Sequence, residues 1–236
     1  MRLIELSKRM HMVASMVDKG GTVADIGCDH AYVSIYLMEQ KIATKVIAMD
    51  VRTGPLDIAK KNIYAHGLAD KIEIRLSDGL EKLSKDEVGT VVIAGIGGQL
   101  IIDIIDRGKE ILGNGDLVLQ PQSELGLVRE KIHNLGYSII DENIVIDQDK
   151  YYTVIKCRKL ENTKKANYNK ADIKYGKILL DNKNEVLLSF LHKEKSSYEN
   201  VLNTLKKSNS ESATRRIMDI EEEMDILKEA LKYYDM

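Results

Sequence analysis

The sequence predicts an α/β protein with a seven-stranded, mostly parallel sheet, followed by an antiparallel helical hairpin of the coiled-coil type. Two observations support this fold class. Short apolar runs alternate with helical segments through the first two thirds of the chain, which is typical of strands joined by right-handed crossovers. Fifteen of the 16 glycines and both prolines precede residue 159, so we expect one domain over 1–158 and a helical domain over 159–236.

Seven apolar runs of strand length define the predicted sheet. They cover residues 23–26, 46–50, 72–76, 90–94, 116–120, 138–146 and 151–157. Only residues 147–150 separate the last two runs, which predicts an antiparallel hairpin. Longer segments separate the other runs, so we expect the remaining strands to be parallel and to have helices between them.

Two apolar seams with helical spacing follow a lysine-rich linker at 159–171. The first seam runs through Ile173, Leu180, Leu187, Leu191, Tyr198, Leu202 and Leu205, and the second through Ile217, Ile220, Met224, Leu227, Leu231 and Tyr234. The polar residues 208–212 separate them, which predicts two helices packed side by side. We expect the first arm to be a single helix of about 30 residues, roughly 45 Å long.

Composition excludes several classes of protein. The chain has 236 residues, 44% hydrophobic and 31% charged, and no apolar run long enough for a membrane span. Its start is too polar for a signal peptide, and two cysteines make no disulfide framework, so we expect a cytoplasmic protein. A net charge of −2 argues against indiscriminate binding of nucleic acid, so any RNA contact must come from a local patch.

The most informative stretch lies where the first predicted strand ends. Asp25 ends the strand, Gly27 breaks it, and Asp29 and Tyr32 stand where a dinucleotide fingerprint has its second and third glycines. Acids at this turn suit a cationic or hydroxyl-rich ligand better than a pyrophosphate. The pattern therefore favours S-adenosylmethionine, which carries an ammonium and a sulfonium. The alternative is that Asp25 merely caps the next helix.

Other strand ends repeat this pattern at the edge where α/β sheets bind ligands. Asp50 ends the second strand and suits the two ribose hydroxyls. Asp78, followed by Gly79, suits an adenine amino group after the third strand. The glycine-rich loop 94–98 follows the fourth strand. The predicted donor-binding residues are Asp25, Gly27, Cys28, His30, Asp50, Val51, Asp78, Gly79, Ala94 and Gly95.

These residues resemble a known family. Residues 7–10 (SKRM), 23–32 (VADIGCDHAY), 54–55 (GP), 77–80 (SDGL), 93–98 (IAGIGG) and 119–121 (LQP) resemble, in order, the TrmK family of bacterial tRNA (adenine(22)-N1)-methyltransferases. Cys28 is a departure, since serine is expected there, and so is the variable stretch 49–51. The resemblance implies a class I methyltransferase fold with a Rossmann-like sheet, S-adenosylmethionine as donor and tRNA as acceptor.

Charge divides the predicted hairpin unevenly. Residues 159–207 hold 11 lysines and six acids, and residues 208–236 hold four basic residues and eight acids. One interpretation is that the basic arm lies along tRNA phosphates. The alternative is that the two arms attract each other.

Methyl transfer from a sulfonium requires mainly proximity and orientation. Adenine N1 has a free lone pair, but its methylated product is cationic. Asp29 and His30 are the candidates to accept a proton or stabilise that charge, and a lone histidine is more often packed or capping. Asp29 is the predicted catalytic residue, although it could instead cap a helix or bind the donor's ammonium.

The loop after the fourth strand lacks the Asn/Asp-Pro-Pro-aromatic motif of amino-methylating relatives, which favours N1 over N6. Gly97 and Gly98 could alternatively serve only close packing. The predicted acceptor residues are Lys8, Arg9, Tyr32, Ile96, Gly97, Gly98, Gln120 and Pro121.

The histidines are scattered, so we expect no metal site, and we expect a monomer. Two alternatives stay open: a methyltransferase acting on a small molecule or protein, and a non-catalytic RNA-binding protein.

Overall fold

A computed structural model describes residues 3–159, 168–207 and 210–235. The chain forms two compact units, Met1–Lys165 and Ala166–Met236. The predicted boundary after residue 158 lies near this division. Most of the predicted linker 159–171, and residues 208 and 209 of the predicted turn 208–212, lie outside the described residues.

The first unit contains the predicted seven-stranded sheet. Its strands are β1 (Gly21–Ile26), β2 (Ala43–Asp50), β3 (Ile72–Leu76), β4 (Thr90–Ile96), β5 (Asp116–Pro121), β6 (Tyr137–Asp147) and β7 (Lys150–Lys159). The spatial order is β3-β2-β1-β4-β5-β7-β6. Strands β1 to β5 are parallel, and β7 is antiparallel to both of its neighbours. The predicted mostly parallel sheet with a terminal hairpin is confirmed.

Helices cover both faces of the sheet. They are α1 (Lys8–Ser15), α2 (Tyr32–Glu39), α3 (Thr53–Ala65), α4 (Gly98–Arg107) and α5 (Leu125–Asn134). Helices α1 to α3 contribute to one apolar cluster, and α4 and α5 contribute to a second. This arrangement leaves the carboxyl ends of the parallel strands as the edge at which a ligand can bind.

The turn between β6 and β7 is tighter than predicted. Only Gln148 and Asp149 connect the strands, with φ of 48° and 61°. Two positive φ values in a two-residue loop are typical of a type I′ turn, whose twist matches that of the strands it joins. The strands therefore extend into residues 147 and 150, which the polar sequence had assigned to the loop.

A buried ion pair joins α5 to β6. Arg129 Nε donates to Glu142 Oε1 over 2.8 Å, and the two side chains are 2% and 1% exposed. Breaking such a pair by removing one partner costs about 3–5 kcal/mol, because the other charge stays buried.

We therefore expect Arg129→Met to lower the free energy of unfolding by about that amount. The double variant Arg129→Met with Glu142→Leu should regain most of the loss, since no charge is then left unpaired. Urea denaturation of the two variants and the parent measures this. Equal destabilisation by the single and the double change would contradict the expectation.

The second unit is helical, but its first arm is not the single helix predicted. A π-helical turn (Asp172–Gly176) leads into α6 (Lys177–Asp181), and α7 (Glu185–Leu205) begins only after a break. Lys183 has a φ of 49°, and the Asn184 side chain caps α7 by accepting from two backbone N–H groups. The seam spacing did not indicate this break, because Leu180 and Leu187 on either side of it are both buried at seam positions.

Helix α8 (Glu211–Leu231) packs against α7 in the opposite direction. The Tyr234 hydroxyl, just after the end of α8, donates to the carbonyl of Asn184 at the start of α7. The ion pairs Lys170–Glu222 and Lys174–Glu223, both 2.6 Å, show that the two arms attract each other as the alternative reading expected.

Candidate active site

A cavity of about 500 Å³ lies at the carboxyl ends of the parallel strands. That volume is within the range of small-molecule and cofactor sites. Residues from α1, α4 and the ends of β1 to β4 line it: Arg9, Met10, Ile26, Gly27, Asp29, Asp50, Val51, Arg52, Ser77, Asp78, Gly79, Ala94, Gly95, Ile96, Leu100 and Ile104. The structure thus brings together ten of the sequence-predicted site residues.

The turn after β1 forms one wall of the cavity. The backbone N–H groups of Gly27 and Cys28 both donate to the carbonyl of Met49, at 2.8 and 2.9 Å. Gly27, Asp29 and Ala31 have φ of 71°, 50° and 61°. Left-handed conformations at two non-glycine residues are unfavourable, and such strain is frequent at functional sites. The Asp29 side chain is 65% exposed and lines the cavity.

Asp25 lies behind this wall rather than on it. Its carboxylate is buried and accepts from the Ser34 hydroxyl over 2.6 Å and from the Ser34 backbone N–H, so it caps α2. Burial raises the pKa of Asp25 to about 6, the Ser34 hydrogen bonds oppose the shift, and the charge of Asp50 adds to it. The structure supports the capping alternative and does not place this carboxylate on the cavity wall.

The raised pKa of Asp25 predicts a pH dependence of stability. The folded state holds the proton more tightly than the unfolded chain, so this stabilisation is full below about pH 4 and is lost as pH rises through about 6. Between pH 5 and pH 8 the parent should lose about 1.4 kcal/mol of unfolding free energy relative to Asp25→Asn. Urea denaturation at both pH values measures the difference, and parallel changes in parent and variant would contradict it.

Asp50 is the acid at the end of β2. It is buried, and its Oδ1 accepts from the backbone N–H of Arg52 over 2.9 Å. Val51, the next residue, is 61% exposed and lines the cavity. The turn therefore presents a carboxylate and an apolar side chain side by side.

Asp78, after β3, is held by a residue that sequence analysis missed. Arg107, near the end of α4, donates two hydrogen bonds to its carboxylate, at 2.8 and 2.9 Å. This guanidinium lowers the pKa of Asp78 below its ordinary value. No motif links two positions 29 residues apart, so only the fold could reveal the pair.

The glycine-rich segment 94–98 divides between the cavity and the helix packing, and its residues 94–96 belong to the end of β4. Gly95 has a φ of 80° and lines the cavity together with Ala94 and Ile96. A side chain at Gly98 would come within 2.5 Å of the Ser123 carbonyl, so that glycine permits close packing of α4 on the segment before α5. Gly97 also lies off the cavity wall, which agrees with the packing alternative for the pair.

The remaining predicted residues also lie off the cavity wall. Cys28 is buried, and desolvation raises the pKa of its thiol well above the ordinary value. The His30 ring lies edge-on to the Tyr32 ring. Gln120 and Pro121 are buried at the end of β5, and Lys8 lines a separate depression between α1 and β6.

Six of the lining residues were not among the predicted site residues. They are Met10, Ile26, Arg52, Ser77, Leu100 and Ile104. Met10 and Ser77 lie in the quoted motifs 7–10 and 77–80, which could have indicated them. Ile26, Leu100 and Ile104 are apolar residues whose identity fits a core position equally well.

Two further findings concern metal binding and membrane spans. Across residues 3–159, 168–207 and 210–235, no three His, Cys, Asp or Glu side chains are grouped so that they could hold a metal ion. Within the same ranges, no helix is long and apolar enough to cross a membrane.

The strand order β3-β2-β1-β4-β5-β7-β6, with β7 antiparallel and a cavity at the carboxyl edge, defines a Rossmann-like class I methyltransferase. A sequence profile described as "TrmK: tRNA (adenine(22)-N(1))-methyltransferase" matches residues 23–229. The chain belongs to this family, whose members use S-adenosylmethionine.

Individual relatives agree with this assignment. The chain is 31% identical over 239 residues to the tRNA (adenine(22)-N(1))-methyltransferase of Bacillus subtilis (strain 168), covering 99% of this chain and 100% of that protein. The crystal structure of the B. subtilis M1A22 tRNA methyltransferase TrmK superposes with a TM-score of 0.85 at 30% identity, covering 97% and 99% of the two chains. A Streptococcus pneumoniae protein in complex with S-adenosyl-L-methionine gives a TM-score of 0.83 at 30% identity, covering 96% and 100%.

Proposed function

We propose that this chain transfers a methyl group from S-adenosylmethionine to N1 of adenine 22 in tRNA. The observation that carries the proposal is similarity along the whole chain to a relative named for that reaction, at 31% identity over 99% of this chain. The cavity supports it, since its volume and its carboxylates fit a cationic nucleoside donor.

The donor's two ends fit different parts of the cavity. Asp78 and Gly79 face its adenine, Val51 packs against that ring, and Asp50 accepts from the ribose hydroxyls. Gly27, after β1, and Ala94 and Gly95, at the carboxyl end of β4, lie beside its methionine end. Cys28 and His30 hold the shape of the first turn rather than contact the donor.

Asp50 offers a direct test of this placement. Asp50→Ala removes the ribose acceptor, and losing one charged hydrogen bond of about 1.5–3 kcal/mol should raise the donor Kd about 10- to 100-fold. Asp57→Ala removes an exposed acid that does not line the cavity and should leave the Kd unchanged. Calorimetry measures both, and parental affinity in Asp50→Ala would remove this residue from the site.

The acceptor base enters beside Ile96, where the chain offers no aromatic clamp for an exocyclic amine. S-adenosylmethionine supplies an activated methyl group when bound. Neutral adenine N1 can attack without losing a proton, so the residues of the cavity mainly orient the two partners. The Asp29 carboxylate is the group that stabilises the cationic base or accepts its amino proton.

The helical unit supplies the reach that tRNA needs. Lys170 and Lys174 are paired within the hairpin, so phosphate binding falls to exposed lysines such as Lys195, Lys206 and Lys207. We place the enzyme in the cytoplasm, where its substrate occurs, and assign methyl transfer to residues 1–158 and tRNA binding to 159–236. We also propose that one copy of the chain suffices for activity.

Transfer of labelled methyl groups to defined tRNA tests the proposal. A transcript with adenine 22 should accept one methyl group per molecule, and a transcript with guanine 22 should accept none. Equal labelling of both transcripts, or labelling of neither, would contradict the assignment.

A further inference from the structure

Arg9 is a surface residue by sequence and a cavity residue by structure. It lies in the first turn of α1, and its guanidinium faces the cavity beside Gly95. A side chain built at Gly95 would come within 3.3 Å of Arg9 Nη1. The backbone N–H of Arg9 donates to Asp147 Oδ2 over 3.0 Å, which fixes the start of α1 to the end of β6.

Two neutral groups hold the guanidinium in place. Arg9 Nη1 donates to Gln120 Oε1 over 3.0 Å, and Arg9 Cζ lies 5.1 Å from the centre of the Tyr152 ring. Gln120 is fully buried, and its Nε2 donates to the Pro121 carbonyl over 2.9 Å, so its oxygen is fixed toward Arg9. The Asp147 carboxylate also attracts Arg9, but the groups that contact the guanidinium are neutral, so it keeps N–H donors for an anionic ligand.

The position of Arg9 along the cavity indicates which anion it binds. The sheet order places the adenine and ribose acids, Asp78 and Asp50, at the ends of β3 and β2. Arg9 lies at the other end, next to Gly95 at the carboxyl end of β4 and bonded to Gln120 of β5. The methionine part of the donor therefore faces Arg9. That part is a zwitterion, and a guanidinium complements its carboxylate.

We infer that Arg9 binds the methionine carboxylate of S-adenosylmethionine, and that Gln120 is the positioning residue that orients Arg9. The inference rests on the proposed placement of the donor. It reassigns both residues, which sequence analysis had given to the acceptor. A guanidinium and a carboxylate form a charge-assisted pair, so removing the guanidinium should cost the donor much of its affinity.

Decarboxylated S-adenosylmethionine, which lacks this one group, separates the possibilities. Calorimetry with both donors on the full-length parent, Arg9→Gln and Gln120→Leu measures how each change depends on the carboxylate. We expect Arg9→Gln to raise the Kd of S-adenosylmethionine about 10- to 100-fold and to leave that of the decarboxylated donor within about twofold of the parent. Gln120→Leu should show the same selectivity with a smaller factor, about three- to tenfold. Lys60→Gln, which removes an exposed charge on α3, should change neither value.

Binding of the decarboxylated donor also shows that each variant is folded. Equal losses for both donors, or parental affinity of Arg9→Gln for S-adenosylmethionine, would overturn the inference. Arg9→Gln could also keep parental affinity for S-adenosylmethionine and show a salt dependence of tRNA binding that is smaller by about one phosphate contact. That pair of results would assign Arg9 to tRNA instead. Failure of the parent to bind S-adenosylmethionine would overturn the proposed function itself, so the two failures are distinguishable.

Discussion

Asp29→Asn should lower the rate of tRNA methylation in a single turnover by about 10²-fold or more, even with donor already bound. Asp29 lines the cavity with an exposed carboxylate, whereas Asp25 is committed to capping α2. The methylated base is cationic, so a carboxylate beside it stabilises the charge or takes up the amino proton. Asparagine tolerates the left-handed backbone that Asp29 adopts, so the change removes charge and little else.

The control for this change is Asp86→Asn. Asp86 is an exposed acid with a similar φ of 58°, and it does not line the cavity. The Asp86→Asn variant should methylate tRNA at the parental rate. A variant at position 29 with a raised donor KM and an unchanged single-turnover rate would make Asp29 a donor-binding residue and leave the reaction without a carboxylate catalyst.

Removing the helical unit should weaken tRNA binding on the order of 10²-fold while leaving donor affinity intact. A chain of residues 1–165 is the whole first compact unit, and it contains every residue that lines the cavity. The lost residues include eight of the 11 lysines of the basic arm. Filter binding to tRNA and calorimetry with S-adenosylmethionine measure the two quantities, and undiminished methylation of full-length tRNA by the shortened chain would contradict the role of the hairpin.

A charge variant refines this expectation without removing the unit. Changing Lys195, Lys206 and Lys207 to glutamine should reduce the salt dependence of tRNA binding, since each phosphate contact contributes to it. Changing Arg215 and Arg216 on α8 to glutamine removes two positive charges from the acidic arm and should have the smaller effect per charge removed. A larger effect of the Arg215 and Arg216 changes would assign tRNA binding to the acidic arm.

The sheet was predictable because its chemistry is local. The apolar run 46–50 ends in an acid and the run 90–94 is followed by glycine, and such ends mark both the strand and the ligand edge. The first and last residues of the strands were harder to predict, because polar residues such as Lys45 and Asp147 extend strands beyond the apolar run. In the hairpin, the break at residues 182–184 preserves the seam spacing, so periodicity could not reveal it.

The candidate site was predictable only where contacts are local in sequence. Gly27 and Asp29 stand in one turn, so their shared position on the cavity wall follows from the motif. Arg9 bonds a side chain 111 positions away, and no spacing rule predicts such a pair.

The pairing of Asp78 with Arg107 has the same origin, since the two residues meet only because α4 packs against the segment that follows β3. The buried pair of Arg129 and Glu142 likewise depends on packing, because each residue alone is typical of an exposed helix or strand face.

The central claim is that the chain methylates N1 of one adenine in tRNA, and identification of the modified nucleoside tests it most directly. Unmodified tRNA incubated with the enzyme and S-adenosylmethionine would be digested to nucleosides, and a parallel sample would be mapped by reverse transcription. We expect N1-methyladenosine as the product and a single stop at position 22. N6-methyladenosine, or a stop at another position, would contradict the account.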